Sequence, residues 1–215
     1  HNAGIPAPAA AYGASKVIGE QLCRMYHARH GLDYVVLRFS TVYGENQHYR
    51  AANALYIIET WDRIRRGERP QLFGDGSESK DFVYAGDVAR AICMALESDA
   101  TDVALNTSGG TGISTKELVE MVTRVAGSNI EPEYIADDGR VRLPTGAGLH
   151  FINTKAREVL GWAPEMDLEE GIRRLVEDHE ALKAANQKMQ LAADSSGIGI
   201  WELDLKTNEL IWDDW

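Results

Sequence analysis

Between Ala11 and Phe39 the sequence changes period once, from apolar residues at helical spacing to a compact β-branched run, with a glycine at the break. Val17, Ile18, Leu22, Met25 and Tyr26 recur at intervals that place them on one helix face, and Gly31 follows as a C-cap glycine would. The next residues, DYVVLRF, are rich in β-branched and aromatic side chains and are bounded by Gly31 and the turn-forming stretch at Ser40, Thr41 and Gly44, which predicts a buried strand. A helix handing over to a strand in this way implies an α/β fold.

The same alternation continues. A helical pattern from about Ala52 to Arg66 stops at Gly67 and Pro70, two extended pieces flank Gly74-Asp75-Gly76, and GDVARAICMALES reads as an amphipathic helix with Asp87 as its cap. VALNTSGG is a strand entering a glycine turn. Ser114-Thr115-Lys116-Glu117 has the S-x-x-E spacing of a capping box before Leu118, Val119, Met121 and Val122, so a helix starts there. EPEYI predicts a strand and NTKAREVLGW a short helix ending at Gly161. From Asp167 one helical pattern runs to Ser195-Ser196-Gly197, longer than the usual globular helix, and its second half is poor in large apolar residues. GIGIWELDL and ELIW around Lys206-Thr207-Asn208 predict a β-hairpin.

Composition narrows the class. With 22 Lys+Arg against 33 Asp+Glu the net charge is −11, which disfavours a nucleic-acid backbone as the main partner. No apolar run reaches the roughly 20 residues of a membrane span, so no membrane partner is expected. Cys23 and Cys93 lie in helix-like apolar stretches and fit no metal spacing, which reads as two reduced core thiols and a cytoplasmic location. His27, His30 and His48 read as surface side chains, and no metal site is expected.

The chemistry lies at the start of the first helix. Tyr12 and Lys16 are four residues apart, hence on one face one turn apart. A phenol near its reference pKa of ~10 is a weak base at neutral pH, and an adjacent cation favours the phenolate. Tyr12 then suits proton exchange with a substrate hydroxyl while hydride leaves the neighbouring carbon, with Lys16 also reaching a cofactor ribose.

Around this pair the sequence resembles the NAD-dependent epimerase/dehydratase family of extended short-chain dehydrogenases, which act on nucleotide-activated sugars. YGASKVIGEQ is similar to the family's catalytic helix, LRFSTVYG to the following strand and turn, DGSESKDFVYAGDVARAI to its phosphate-contact segment, and NTKAREVLGWAPEMDLEEGIRRLV to its closing helices. The resemblance covers about residues 7–176. It implies the C-terminal part of a Rossmann-like doubly wound domain plus the small α/β substrate-binding domain, followed by a linker helix (177–193) and a hairpin (194–215). It implies NAD as cofactor, a nucleotide-diphosphate sugar as substrate, and a homodimer through helices 17–30 and 52–66.

Carried over by position, Tyr12 is the acid/base, Lys16 its partner and ribose contact, and Tyr43 a nicotinamide neighbour. Thr41, Lys80 and Arg142 are the substrate contacts. Thr41 stands where many relatives have Asn, Lys80 where they have Arg, and Ile152 where they have Asp, so the sugar stays open and the phosphate grip is that of a point charge. The family's Gly-rich fingerprint belongs upstream of anything in this sequence, and Ser108-Gly109-Gly110-Thr111-Gly112 has the wrong spacing for it. The expectation is therefore the C-terminal half of an epimerase or dehydratase, inactive alone. The competing expectation is a non-catalytic scaffold or sensory module, because LAADSSGIGIWELDLKTNELIWDDW resembles the opening of a PAS sensor domain.

Overall fold

The computed structural model describes residues 7–46, 52–136, 151–196, 201–204 and 209–212. The chain divides into two compact units, residues 1–175 and 176–215.

In the first unit α1 (Ala7–His30) precedes β1 (Val35–Phe39) and β2 (Thr41–Tyr43), and α2 (Ala52–Arg65) leads to β3 (Gln71–Phe73) and β4 (Ser79–Tyr84). Then come α3 (Ala85–Glu97), β5 (Val103–Thr107), β6 (Gly112–Ser114), α4 (Thr115–Val125), β7 (Glu133–Ile135), α5 (Thr154–Leu160) and the start of α6 (Leu168–Ser196). β1 pairs in parallel with β5, Phe39 opposite Thr107. β2 pairs in parallel with β4, Thr41 opposite Phe82, and β4 continues antiparallel to β6, Lys80 opposite Ile113. β3 and β7 form a further parallel pair.

One core lies where α3 and α5 cover the sheet: Val83, Val88, Ala91, Leu105, Ala156 and Trp162 are buried together, with Val35, Leu37, Val42 and Met94 against them. A second gathers Ile57, Ile58, Trp61 and Ile64 of α2 with Leu72 and with Leu118, Val119 and Val122 of α4. α4 starts as its sequence predicts: Ser114 Oγ accepts from Glu117 N at 3.2 Å, while Ser114 N donates to the Glu117 carboxylate at 2.8 Å. α5 ends on Gly161 in the left-handed conformation, φ 70°.

The apolar stripe of α1 faces outward: Val17 and Ile18 are each 59% exposed and Leu22 48%. Three expectations change. β1 is half-buried, with Arg38 and Phe39 exposed, because among the described residues only β5 pairs with it. Cys93 is exposed and Cys23 half-buried, so these free thiols are not core residues. Asp87 does not cap α3, whose N-cap position is Tyr84; it sits inside the first turn and is buried.

In the second unit α6 continues to Ser196, with 181–192 exposed throughout. β8 (Trp201–Asp204) and β9 (Glu209–Trp212) pair antiparallel, the hairpin expected there. No helix among the described residues is long and apolar enough to cross a membrane.

Candidate active site

α1 is tied to β1 by one charged clamp. Arg38 donates from Nε to Glu20 Oε1 at 2.7 Å and from its neighbouring nitrogen to Oε2. The hydrogen bond from Arg38 holds the Glu20 carboxyl below its ordinary range and raises the guanidinium in return. Glu20, Lys16 and Tyr12 stand at successive four-residue steps, hence on one face. Helix rise then carries Tyr12 roughly 12 Å along the axis from Glu20. The helix runs toward β1 through its C-terminus, so its N-terminal end extends past the carboxyl end of the strand. That end is where parallel α/β sheets hold ligands.

At this end Tyr12 is 68% exposed, and Lys16 Nζ lies 5.0 Å from the centre of its ring. Ser15 Oγ donates to the Tyr12 carbonyl at 2.7 Å, fixing the first turns. The phenol and the ammonium thus share one open face. Phe39, 43% exposed, is the aromatic residue at the carboxyl end of β1. Sequence reading passed over it as a strand residue, although its place as the last residue of the β-branched run was the available signal.

Thr41 and Lys80 share one face of the β2–β4–β6 sheet, because Thr41 pairs with Phe82 and Lys80 is two residues before it. Thr41 is half-buried; Lys80 is exposed, with Nζ 3.9 Å from Glu78. Arg142 lies outside the described residues. Tyr43 is placed differently from the expectation that it meets a nicotinamide. It is 2% exposed, edge-on to Phe82 and Tyr84, with Gly171 of α6 over its hydroxyl. A Cβ at position 171 would come within 2.1 Å of that oxygen, so only glycine lets α6 pass. Burial, then the Asp167 and Asp87 charges, pushes the Tyr43 phenol well up from its ordinary value. It is a neutral packing group.

Beside this face lies a cavity of about 520 Å³ lined by Tyr43, Phe82, Ile113, Glu120, Arg124 and Asp167, among others. Arg124 is engaged by Glu169 at 3.0 Å, leaving the lining acidic on balance, which does not suit a diphosphate. No diphosphate contact is assigned to it.

Buried polar groups brace the surroundings. Asp87 accepts from Glu165 N (3.1 Å) and Met166 N (3.0 Å) and pairs with Arg90 (2.8 Å), while Trp162 Nε1 donates to the Asp87 carbonyl at 2.9 Å. Asp81, also buried, accepts from Gly109 N at 2.7 Å, and a Cβ at Gly109 would meet Phe82 O at 2.0 Å. The other Asp81 oxygen, Ser40 Oγ and Thr107 Oγ1 are buried without protein partners at the neighbouring register positions. At the sheet's open end Tyr84 donates to Glu45 at 2.6 Å. Sequence reasoning missed these braces, whose partners are distant in the chain.

Residues 2–106 match the NAD dependent epimerase/dehydratase family. A putative UDP-glucose 4-epimerase of Methanocaldococcus jannaschii is 37% identical over 171 residues, which is 79% of this chain and 53% of that protein. A dTDP-glucose 4,6-dehydratase of Streptomyces griseus is 31% identical over 170 residues, 79% of this chain and 49% of its own length. Among solved structures, the UDP-glucose 4-epimerase of Thermotoga maritima with UDP-glucose aligns with a TM-score of 0.70 at 32% identity, covering 80% of this chain and 53% of that one. The chain spans about half the length of the curated relatives it matches.

Proposed function

Residues 2–106 of this chain match the NAD dependent epimerase/dehydratase family, and from that match we propose that the chain belongs to it and supplies the catalytic helix and the substrate side of an NAD-dependent nucleotide-sugar epimerase. The observation that carries the reading is the open face shared by Tyr12 and Lys16 beyond the carboxyl end of β1. Thr41-Val42-Tyr43-Gly44 and the similarity to UDP-sugar 4-epimerases favour epimerisation over the dehydratase alternative.

The residues present fit one end of the cofactor. An exposed phenol with an ammonium one turn away is the donor set for a nicotinamide ribose and a reacting hydroxyl. No G-x-G-x-x-G run occurs in these 215 residues, so none of them is assigned to the pyrophosphate. When bound, NAD supplies the acceptor, and then the donor, of hydride. Tyr12 takes the proton of the sugar hydroxyl as the C–H bond is given up, and returns it when hydride comes back to the other face of the ketosugar. Lys16 stabilises negative charge on the Tyr12 oxygen. Lys80 and Arg142 contribute charge toward the diphosphate, and Thr41 meets the sugar nucleotide.

This reading assigns residues 1–176 to the enzyme domain, 177–193 to a linker helix and 194–215 to a PAS-like opening, in a cytoplasmic protein. Of the two helices expected to carry homodimerisation, α1 is the one with an open apolar face, since Ile57, Ile58, Trp61 and Ile64 of α2 are buried within their own chain. The test is Tyr12→Phe in the protein that carries this chain, assayed with NAD and UDP-glucose. Turnover is expected to fall by about 10²–10⁴-fold with UDP-glucose binding retained. Unchanged turnover would remove Tyr12 from catalysis and favour the scaffold reading.

A further inference from the structure

Ser40 is the single residue between β1 and β2, and at this point the chain exchanges one neighbouring strand for another. Before it Phe39 is paired with Thr107 of β5; after it Thr41 is paired with Phe82 of β4. One step back along the second register sets Asp81 beside Ser40, and the first sets Thr107 beside Phe39. Paired strands lie about 4.8 Å apart, so one small molecule among these three side chains can reach all of them. Thr107 stands two residues after Leu105, and Asp81 two residues before Val83, in strands whose Leu105 and Val83 share one core, so both polar side chains turn to that side of the sheet. Leu37 and Val42 also pack against this core although they are five residues apart, so the alternation of faces is interrupted between them, where Ser40 stands.

All three side chains keep unused hydrogen-bonding capacity. Asp81 is 2% exposed and accepts from Gly109 N at 2.7 Å through Oδ1, while its Oδ2 is buried with no partner among the described residues. Ser40 Oγ and Thr107 Oγ1 are buried in the same condition. Unpaired buried polar groups are costly, and native proteins pair nearly all of them with protein or with ordered water.

We propose that Ser40 Oγ, Asp81 Oδ2 and Thr107 Oγ1 hold one internal water molecule where the chain passes from the β1–β5 pair to the β2–β4–β6 sheet. Donors and acceptors balance: the water accepts from the two hydroxyls and donates to the carboxylate, which only accepts. Three hydrogen bonds is the usual number for a buried water. Three oxygens fall short of the six or more that a divalent hard cation takes. Gly109 is part of the design, because a Cβ there would meet Phe82 O at 2.0 Å. Only glycine lets the turn after β5 come close enough to occupy one Asp81 oxygen and leave the other to the water. The water thereby ties the two sheets together through side chains. The proposal stands independently of the enzymatic reading.

The test is a high-resolution crystal structure of the unsubstituted 215-residue chain, joined to a double-mutant cycle in solution. The crystal is expected to show one density peak within about 3.0 Å of all three oxygens. A peak that touches only one of them, no peak, or a peak with six or more oxygen ligands at about 2.5 Å, which marks a cation, would overturn the assignment. In urea unfolding, Ser40→Ala combined with Thr107→Val is expected to change the unfolding constant by about fivefold less than the product of the single effects, because either substitution alone already breaks the bridge. The same cycle with Thr107→Ser, which keeps the hydroxyl, is expected to be multiplicative within about twofold. Multiplicative behaviour in both cycles would overturn the shared water. Equal coupling in both would assign the effect to strand packing and overturn it as well.

Discussion

α1 and α4 both carry apolar residues at helical spacing, yet Leu118, Val119 and Val122 of α4 are 0–2% exposed whereas Val17, Ile18, Leu22 and Met25 of α1 are 47–59% exposed. Periodicity states which face of a helix is apolar and leaves open what covers it. α4 is covered by α2 and β3 of its own chain; α1 is held at its edge by the Glu20–Arg38 clamp, with its stripe open. The difference separates the part of the molecule that is stable by its own packing from the part that is available to other surfaces. Substitutions on the two sides should therefore differ in size by nearly an order of magnitude.

The largest effect belongs to Trp162, fully buried in the α3–α5 core and bonded to the Asp87 carbonyl. Trp162→Ala is expected to cost about 3–5 kcal/mol in urea unfolding, from lost burial and the cavity left behind. A cost below 1 kcal/mol would mean that this core is not the stable side of the comparison. Asp87→Ala follows at about 2–3 kcal/mol, since it leaves Glu165 N and Met166 N without acceptors and Arg90 without its buried partner. The half-exposure of the Arg90 neighbourhood keeps this below the full cost of orphaning a buried charge. Gly171→Ala is expected to cost about 1–3 kcal/mol through overlap with the Tyr43 hydroxyl, and Tyr43→Phe in the same chain should recover part of it. Strict additivity of the two would contradict the contact.

What the sequence displayed and what it hid follow from distance along the chain. The capping box at Ser114 and Glu117 and the Gly161 C-cap are built from neighbours a few residues apart, so spelling and structure coincide. Tyr12 and Lys16 are legible for the same reason. Asp87 stands at the right place to resemble a cap, but its acceptors serve residues 78 and 79 positions away. Tyr43 looked available to a ligand because nothing local announces that Gly171 closes over it. Cys93 illustrates the same gap, being on the outer side of a helix whose other side is core.

Ser114→Ala tests the covered helix at its end. It is expected to cost about 1 kcal/mol, the ordinary value of an N-cap. It also carries a pH signature. The Ser114 hydroxyl, then its backbone N–H, holds the Glu117 carboxyl below its ordinary 4.5. A carboxylate lowered in the folded state contributes stability that is present above its unfolded value and lost as pH falls through the folded one. The difference between wild type and Ser114→Ala should therefore be constant near neutrality and shrink on acidification below about pH 4.5. A difference that grew on acidification would reverse the assignment.

The smallest effect sharpens the comparison most. Ile18→Ala removes an exposed β-branched side chain from a helix interior and replaces it with the best helix former, so the lost contact and the gained propensity are each about half a kcal/mol and offset one another. In dilute protein the stability should stay within about 0.5 kcal/mol of wild type. A loss above about 1 kcal/mol at every concentration would mean that α1 is covered by its own chain, collapsing the distinction from α4. A loss that appears only as protein concentration rises is what a second copy on this face would produce, because an interface adds stability by mass action and a fixed intramolecular contact does not. The concentration dependence, more than the size of the change, therefore decides whether α1 is an interface.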